Sequence, residues 1–184
     1  MECRTLAQYE RNPAEVERVA SDLIELSTLQ SFSHWLALGS ILRGWARSAL
    51  GDTTEGISWI EGGIEDYRGT GSMIDLPYLL SLKAEALYLA DRTPEAIQAI
   101  REAEAPVERF DARWWSAELH RLRGVFLTAM GAQETQIDAS FCKAIRTAKE
   151  QKSISLAKRA EASYAEYRRQ KASGLGGRGF RLPL

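Results

Sequence analysis

Apolar side chains recur along most of the chain three and four positions apart, the spacing that places them on one face of an α-helix. The pattern predicts helices over residues 14–28, 33–50, 53–67, 75–90, 94–106, 113–130, 134–151 and 154–171, and the end of another over 5–10. No segment shows the apolar and polar alternation of a β-strand. The sequence therefore predicts an all-α protein.

Turn and cap residues separate these helices. Asn12 and Pro13 fit an N-cap followed by the first helical turn, and Gly51 fits a helix stop. Pro106 predicts a kink or an early stop, because proline lacks the backbone N–H that an interior helix position donates.

Small and large apolar residues recur with a step of forty residues. In the first helix of each pair they are Leu42 and Gly44, Leu82 and Ala84, and Leu122 and Gly124. In the second helix the corresponding pairs are Gly56 and Ala96, Ile60 and Ile100, and Gly63 and Ala103. After one inserted residue, Ile137, Phe141 and Ala144 continue these three series. A fixed period of this size predicts stacked helical hairpins, each of which buries its apolar face against a neighbour.

These positions resemble the small and large positions of tetratricopeptide-type repeats. The leucine lies one position early and precedes a basic residue, at Arg43, Lys83 and Arg123, and the period exceeds the usual ~34 residues. The resemblance implies a right-handed α-solenoid of antiparallel helix hairpins. We expect one repeat domain over 1–171, with a partial repeat over 1–31, repeats over 32–72, 73–112 and 113–153, and a terminal helix over 154–171. The Gly-rich, acid-free segment 172–184 is expected to form a flexible tail.

Composition excludes several classes of function. The net charge of −1 provides no overall basic field, which argues against nucleic acid as a partner. The two cysteines match no metal or disulfide pattern, and no run is long and apolar enough for a signal peptide or a membrane span. These features favour a cytoplasmic location without membrane association.

Residues 33–167 also resemble the C-terminal repeat region of bacterial multidomain signalling proteins. The resemblance rests on segments such as PYLLSLKAEALYLADRTPEAIQAI (77–100) and WWSAELHRLRG (114–124). In that group a cyclase-like or DNA-binding domain precedes a STAND-type ATPase and the helical repeats. The resemblance implies a regulatory or sensory module and no catalytic residue.

Candidate catalytic chemistry is absent from the sequence pattern. His34 and His120 have no partners at metal-ligand spacing, and no GxSxG nucleophile motif occurs. The segment GLGGRG (174–179) lacks the Lys and Ser or Thr of a phosphate-binding loop. We therefore expect no catalytic, metal or cofactor-binding residue and no enzymatic activity.

The first helices of the hairpins are predicted to line a groove that binds a protein or peptide. Its predicted residues alternate aromatic, apolar and charged side chains: Leu38, Ile41, Trp45, Tyr78, Glu85, Tyr88, Glu118 and Arg121. This composition is typical of a surface that anchors an amphipathic helix or an extended peptide. The alternative is that the aromatic side chains fill the core between repeats.

The resulting hypothesis is a non-catalytic scaffold for protein–protein interaction, working as a regulatory module. Half-repeats at both ends would leave apolar helix faces uncovered, which favours self-association into a homodimer. A second hypothesis is a sensor that encloses a small molecule between repeats, with Glu85, Glu118 and Arg121 as polar anchors.

Overall fold

The computed structural model describes Gln8, residues 10–110 and residues 113–173. For residues 106–110 it describes the backbone alone. In these ranges the chain forms α1 (Pro13–Leu29), α2 (Ser33–Ala49), α3 (Thr53–Gly69), α4 (Leu76–Leu89), α5 (Thr93–Phe110), a 3₁₀ turn (Arg113–Trp115), α6 (Ser116–Ala129), α7 (Glu134–Glu150) and α8 (Ile154–Ala172). They contain no β-strand. The all-α prediction is confirmed. Most of the predicted helix over 5–10 and of the tail over 172–184 lies outside the described residues.

Of the two outcomes predicted at Pro106, a kink or an early stop, the early stop is wrong. Helix α5 does not stop at Pro106 but continues to Phe110. Proline removes one backbone hydrogen bond from a helix interior. The residues on either side are mostly good helix formers, and the face with Ala96, Ile100 and Ala103 is buried, so the helix continues past this single loss.

Successive helices pack as antiparallel neighbours and form two layers. The first-helix layer consists of α2, α4, α6 and α8, which also contact one another in sequence. The second-helix layer consists of α1, α3, α5 and α7. One continuous core of apolar side chains runs between the layers, as expected for a helical-repeat solenoid.

Close helix contact explains the buried glycines. A Cβ atom on Gly44 of α2 would lie 2.5 Å from the backbone oxygen of Gly56, and a Cβ atom on Gly56 of α3 would lie 2.5 Å from the oxygen of Gly44. The two backbones can approach this closely only without side chains. Gly62, on the same helix α3, has no atom within 4 Å of its Cβ position.

The turns within the hairpins repeat with the same forty-residue step. Arg11, Gly51, Asp91 and Gly131 all adopt the left-handed conformation, with φ between 58° and 109°. Glycine adopts it freely, whereas a residue with a Cβ bears a cost of roughly 1–2 kcal/mol. Arg11 therefore retains a long side chain at a position where two other repeats have glycine.

Candidate functional site

Six of the eight predicted groove residues are buried, so the expectation that they face an open groove is wrong. They are Ile41, Trp45, Tyr78, Glu85, Glu118 and Arg121, none of them more than 6% exposed. Leu38 and Tyr88 are half-buried against the same core. The physical reason is that the helices of the first-helix layer contact each other through this face, and residues that precede α1 cover part of it.

Glu85 of α4 connects three parts of the chain. Its carboxylate accepts hydrogen bonds from two guanidinium nitrogens of Arg11, at 2.5 and 2.9 Å. It also accepts one from the indole Nε1 of Trp45, at 2.8 Å. The Arg11 guanidinium lies 5.8 Å from the centroid of the Trp45 ring. One buried carboxylate thus joins α2, α4 and the turn before α1.

Glu118 of α6 holds a second set of contacts. Its carboxylate accepts hydrogen bonds from Nε and Nη2 of Arg121, at 2.9 and 2.8 Å, and from Nη2 of Arg159, at 2.6 Å. Arg11 Nη2 lies 3.6 Å from the same carboxylate. Arg121 also donates to Ser163 Oγ at 3.1 Å, which brings α8 into the set. We call these residues the buried charge network: Arg11, Trp45, Glu85, Glu118, Arg121, Arg159 and Ser163.

The two carboxyl groups of the buried charge network are ionised at neutral pH. Burial of Glu85 and Glu118 disfavours their charged forms, but the neighbouring guanidinium groups outweigh it, and the pKa of both carboxyl groups lies below its usual value. Despite burial, the carboxylate of Glu85 raises the pKa of Arg11. Because these charges are paired with one another inside the core, the network positions helices and presents no open binding groove.

Several exposed apolar side chains lie near the starts of the first helices. Four of them lie at or just before the start of α2, α4, α6 and α8, and we call them the edge row: Phe32, Ile74, Trp114 and Ile154, which are 41–73% exposed. Ile74, Trp114 and Ile154 follow each other at forty-residue steps. Since the first helices are parallel in a stack of antiparallel hairpins, the edge row follows one edge of the solenoid. None of its four residues is among the predicted groove residues.

The opposite edge also carries exposed apolar residues. Leu50 and Met130, at the C-terminal ends of α2 and α6, are 55% and 50% exposed. Trp115, next to Trp114, is instead buried, and its Nε1 donates to Ser81 Oγ at 2.8 Å. Of the two adjacent tryptophans, one seals a joint between repeats and the other faces outwards.

The outer face of α8 is polar. Its buried residues are Leu156, Ala160, Ser163 and Tyr167, whereas beyond Ile154 its exposed positions carry Ser, Ala, Lys, Glu and Arg. The expectation of an uncovered apolar face at this end is therefore wrong. This end of the solenoid therefore offers no apolar face that would favour a homodimer.

A cavity of about 570 Å³ opens between α5, α6 and α7. Its lining includes Ser116, His120 and Arg123 from α6, and Lys143 and Gln151 from α7 and the residue after it. Burial, and then the positive charges of Lys143 and Arg123, lower the pKa of His120 to about 4. His120 is therefore neutral at pH 7. Of the residues considered for contact with a ligand, His120 lines this cavity, whereas Glu118 and Arg121 belong to the buried charge network.

The described residues offer neither a cluster of metal ligands nor a membrane-spanning helix. Within residues 10–110 and 113–173, together with Gln8, no group of three or more His, Cys, Asp or Glu side chains could hold a metal ion. The helices described for this chain include none that is both long and apolar enough to span a membrane.

Comparison with known proteins shows similarity in sequence to one protein of unknown role. An uncharacterised protein of Rhizobium meliloti (strain 1021) is 30% identical over 152 residues, which are 83% of this chain and 14% of that protein. The chain therefore corresponds to a small part of the length of this relative. No protein-family model matches the chain.

Similarity in structure extends over nearly the whole chain. The crystal structure of the apo form of RapI superimposes on it with a TM-score of 0.57 and 15% identity. The match covers 92% of this chain and 65% of RapI. RapI is a helical-repeat protein, and the chain shares this fold.

Proposed function

We propose that the chain is a non-catalytic helical-repeat scaffold that binds a protein partner. The observation that carries the proposal is the edge row, in which each first helix contributes one exposed apolar side chain to the same edge. Apolar side chains aligned over several repeats are typical of an interaction surface. The likeness to RapI supports the scaffold role through the fold alone.

We further propose that the scaffold is a regulatory module of a bacterial signalling system, linked to a cyclase or an ATPase. Two points support this proposal. Residues 33–167 resemble the repeat region of such proteins, and the Rhizobium relative is a much longer protein in which the matched segment is a small part. A scaffold within a longer chain regulates by binding, and needs no catalytic residue of its own.

The occupant of the edge row that we propose is an amphipathic helix of the partner. Packed helices lie about 8–10 Å apart. A helix rises about 10 Å over seven residues, so its apolar residues seven positions apart would meet successive side chains of the edge row. Each of these contacts would bury an apolar side chain of the partner against one from this chain.

The test compares two matched double variants with the wild type. Ile74→Asp with Ile154→Asp places charges in the edge row, whereas Leu50→Asp with Met130→Asp places them at positions on the opposite edge that are at least half exposed. All three proteins are used to capture partners from lysate of the cells that express the chain. Thermal unfolding of each verifies that the variants remain folded.

We expect a protein that the wild type and the opposite-edge variant capture and that the edge-row variant does not. The segment of that protein in contact with the scaffold should be helical by circular dichroism and should bind the edge-row variant at least tenfold more weakly. Identical captured sets for all three folded proteins, or a non-helical segment, would overturn the proposal.

A further inference from the structure

Two buried polar atoms in the cavity between α5, α6 and α7 lack hydrogen-bond partners. They are Ser116 Oγ and Gln151 Oε1. The Nε2 of Gln151 donates to the backbone oxygen of Arg113 at 2.5 Å, which fixes the orientation of the amide and leaves Oε1 as an acceptor. Ser116 is only 8% exposed. Buried polar atoms are rarely left unpaired, so both point to a group that enters the cavity from outside.

Lys143 gives the cavity a cation that an anionic ligand can reach. The other charges that line it include Arg123, Glu104 and Glu150. Arg123 is neutralised by Glu104, to which its Nη1 donates at 2.8 and 3.0 Å. Lys143 is exposed and lies on the wall formed by α7, where an anionic group can reach it from solvent.

The remaining lining suits a small organic molecule. Neutral His120 has one donor and one acceptor nitrogen, and Leu119 contributes apolar surface. The cavity volume of about 570 Å³ lies within the roughly 300–1,000 Å³ of small-molecule sites.

From this geometry we infer that the cavity binds a small organic anion that carries an O–H or N–H donor. The anionic group lies against Lys143, and the donor pairs with Gln151 Oε1 while Ser116 Oγ completes its own hydrogen bond. This site shares no residue with the edge row or with the buried charge network. It therefore goes beyond the scaffold function and stands independently of it.

Four probes test the inference by thermal shift and calorimetry. L-malate, L-glutamate and glucose 6-phosphate carry an anionic group together with a donor, and they represent hydroxy acids, amino acids and sugar phosphates. Glutarate is the matched control, because it has carboxylates without a donor. At tenfold excess over its dissociation constant, a bound probe should raise the melting temperature by roughly 3–6 °C. Glutarate should bind at least tenfold more weakly.

Matched variants locate the binding. Lys143→Glu should weaken binding at least tenfold, whereas Lys149→Glu, also exposed on α7 but outside the cavity lining, should leave binding unchanged. Ser116→Ala should weaken binding without lowering the stability of the free protein, since it removes an unpaired hydroxyl. A purely structural role for Ser116 would instead lower that stability.

Two results would overturn the inference. One is the absence of any shift with all three donor-bearing anions. The other is a shift that Lys143→Glu and Ser116→Ala leave unchanged, which would place binding elsewhere on the surface. The edge-row variant should bind the probes like the wild type, so failure of this inference is distinguishable from failure of the scaffold function.

Discussion

Replacement of Glu118 by glutamine tests whether the buried charge network stabilises the fold. The substitution keeps the shape of the side chain and removes its charge. In the wild type the carboxylate accepts three hydrogen bonds, two from Arg121 and one from Arg159. In the variant one amide oxygen remains as an acceptor, the N–H₂ group faces a guanidinium donor, and Arg121, which is 1% exposed, loses the opposite charge that paired with it.

The magnitude follows from the burial of the charge that is left behind. Removal of one partner of a buried ion pair costs about 3–5 kcal/mol. For a chain of this length, 1 kcal/mol corresponds to a shift of about 2–4 °C in the melting temperature, so Glu118→Gln should lower it by roughly 6–20 °C. Conversion of the pair to apolar residues, with Glu118→Leu and Arg121→Met together, should recover part of this loss, because no unpaired charge then remains at Arg121 and Arg11 keeps Glu85, whereas Arg159 still loses its carboxylate.

The assay is thermal and urea unfolding monitored by circular dichroism, with Glu15→Gln as the control. Glu15 is exposed and pairs with Arg18 on the surface of α1, so its substitution should leave the melting temperature unchanged. A loss below about 1 kcal/mol for Glu118→Gln would refute the reasoning, since the two arginines would then be stable without their carboxylate.

The pH dependence gives a second check on the same variant. The pKa of Glu118 is lower in the folded chain than its ordinary value of 4.5, because the nearby guanidinium groups outweigh the effect of burial. The charge of Glu118 therefore contributes its full stability above pH 4.5, and this contribution is lost as the pH falls below it. The unfolding free energies of the wild type and Glu118→Gln should converge at low pH. A constant difference down to pH 2 would contradict the assignment.

Two further predictions concern other parts of the chain. The pKa of His120 is about 4 in the folded protein and 6.5 ordinarily, so the unfolding free energy is highest above pH 6.5 and decreases as the pH falls towards 4. His120→Gln should therefore flatten the dependence of the melting temperature on pH between these values. Parallel curves for the variant and the wild type would count against the burial of His120. Gly56→Ala should destabilise the chain by about 1–3 kcal/mol because the new Cβ meets the backbone of α2, whereas Gly62→Ala should stabilise it by up to about 1 kcal/mol. Urea unfolding measures both changes in the unfolding free energy. Changes of the same sign would contradict the packing of α2 on α3.

The fold was predictable because each repeat carries its packing residues at the same positions in the sequence. Leu82, Ala84 and their equivalents forty residues away are buried in the structure as the register requires. A local pattern of this kind is sufficient to define helices, their pairing and the stacking of the pairs. The end of α5 was not predictable from Pro106 alone, because packing of the helix outweighs the loss of one hydrogen bond.

The site was less predictable, because a sequence pattern alone predicts that charged residues on a helix are exposed. The register contained a signal against this interpretation. Glu85 occupies the position held by Trp45 and Val125 in the neighbouring repeats, and both of these are fully buried. A charged residue at a core position indicates a buried partner. The partner, Arg11, lies 74 residues away in sequence, and no local pattern identifies such a pair.

The contact of Arg11 with Glu118 alters how the chain should unfold. In a simple solenoid each repeat touches only its neighbours, and the ends can fray while the middle stays folded. Here a residue before α1 shares a carboxylate with α6 and, through it, with α8. Loss of the turn that holds Arg11 removes a partner of Glu118 two repeats away. Fraying at one end therefore weakens the packing of helices at the other. The array should therefore unfold in a single cooperative transition, and its long-range closure should make it fold more slowly than repeats that contact only their neighbours.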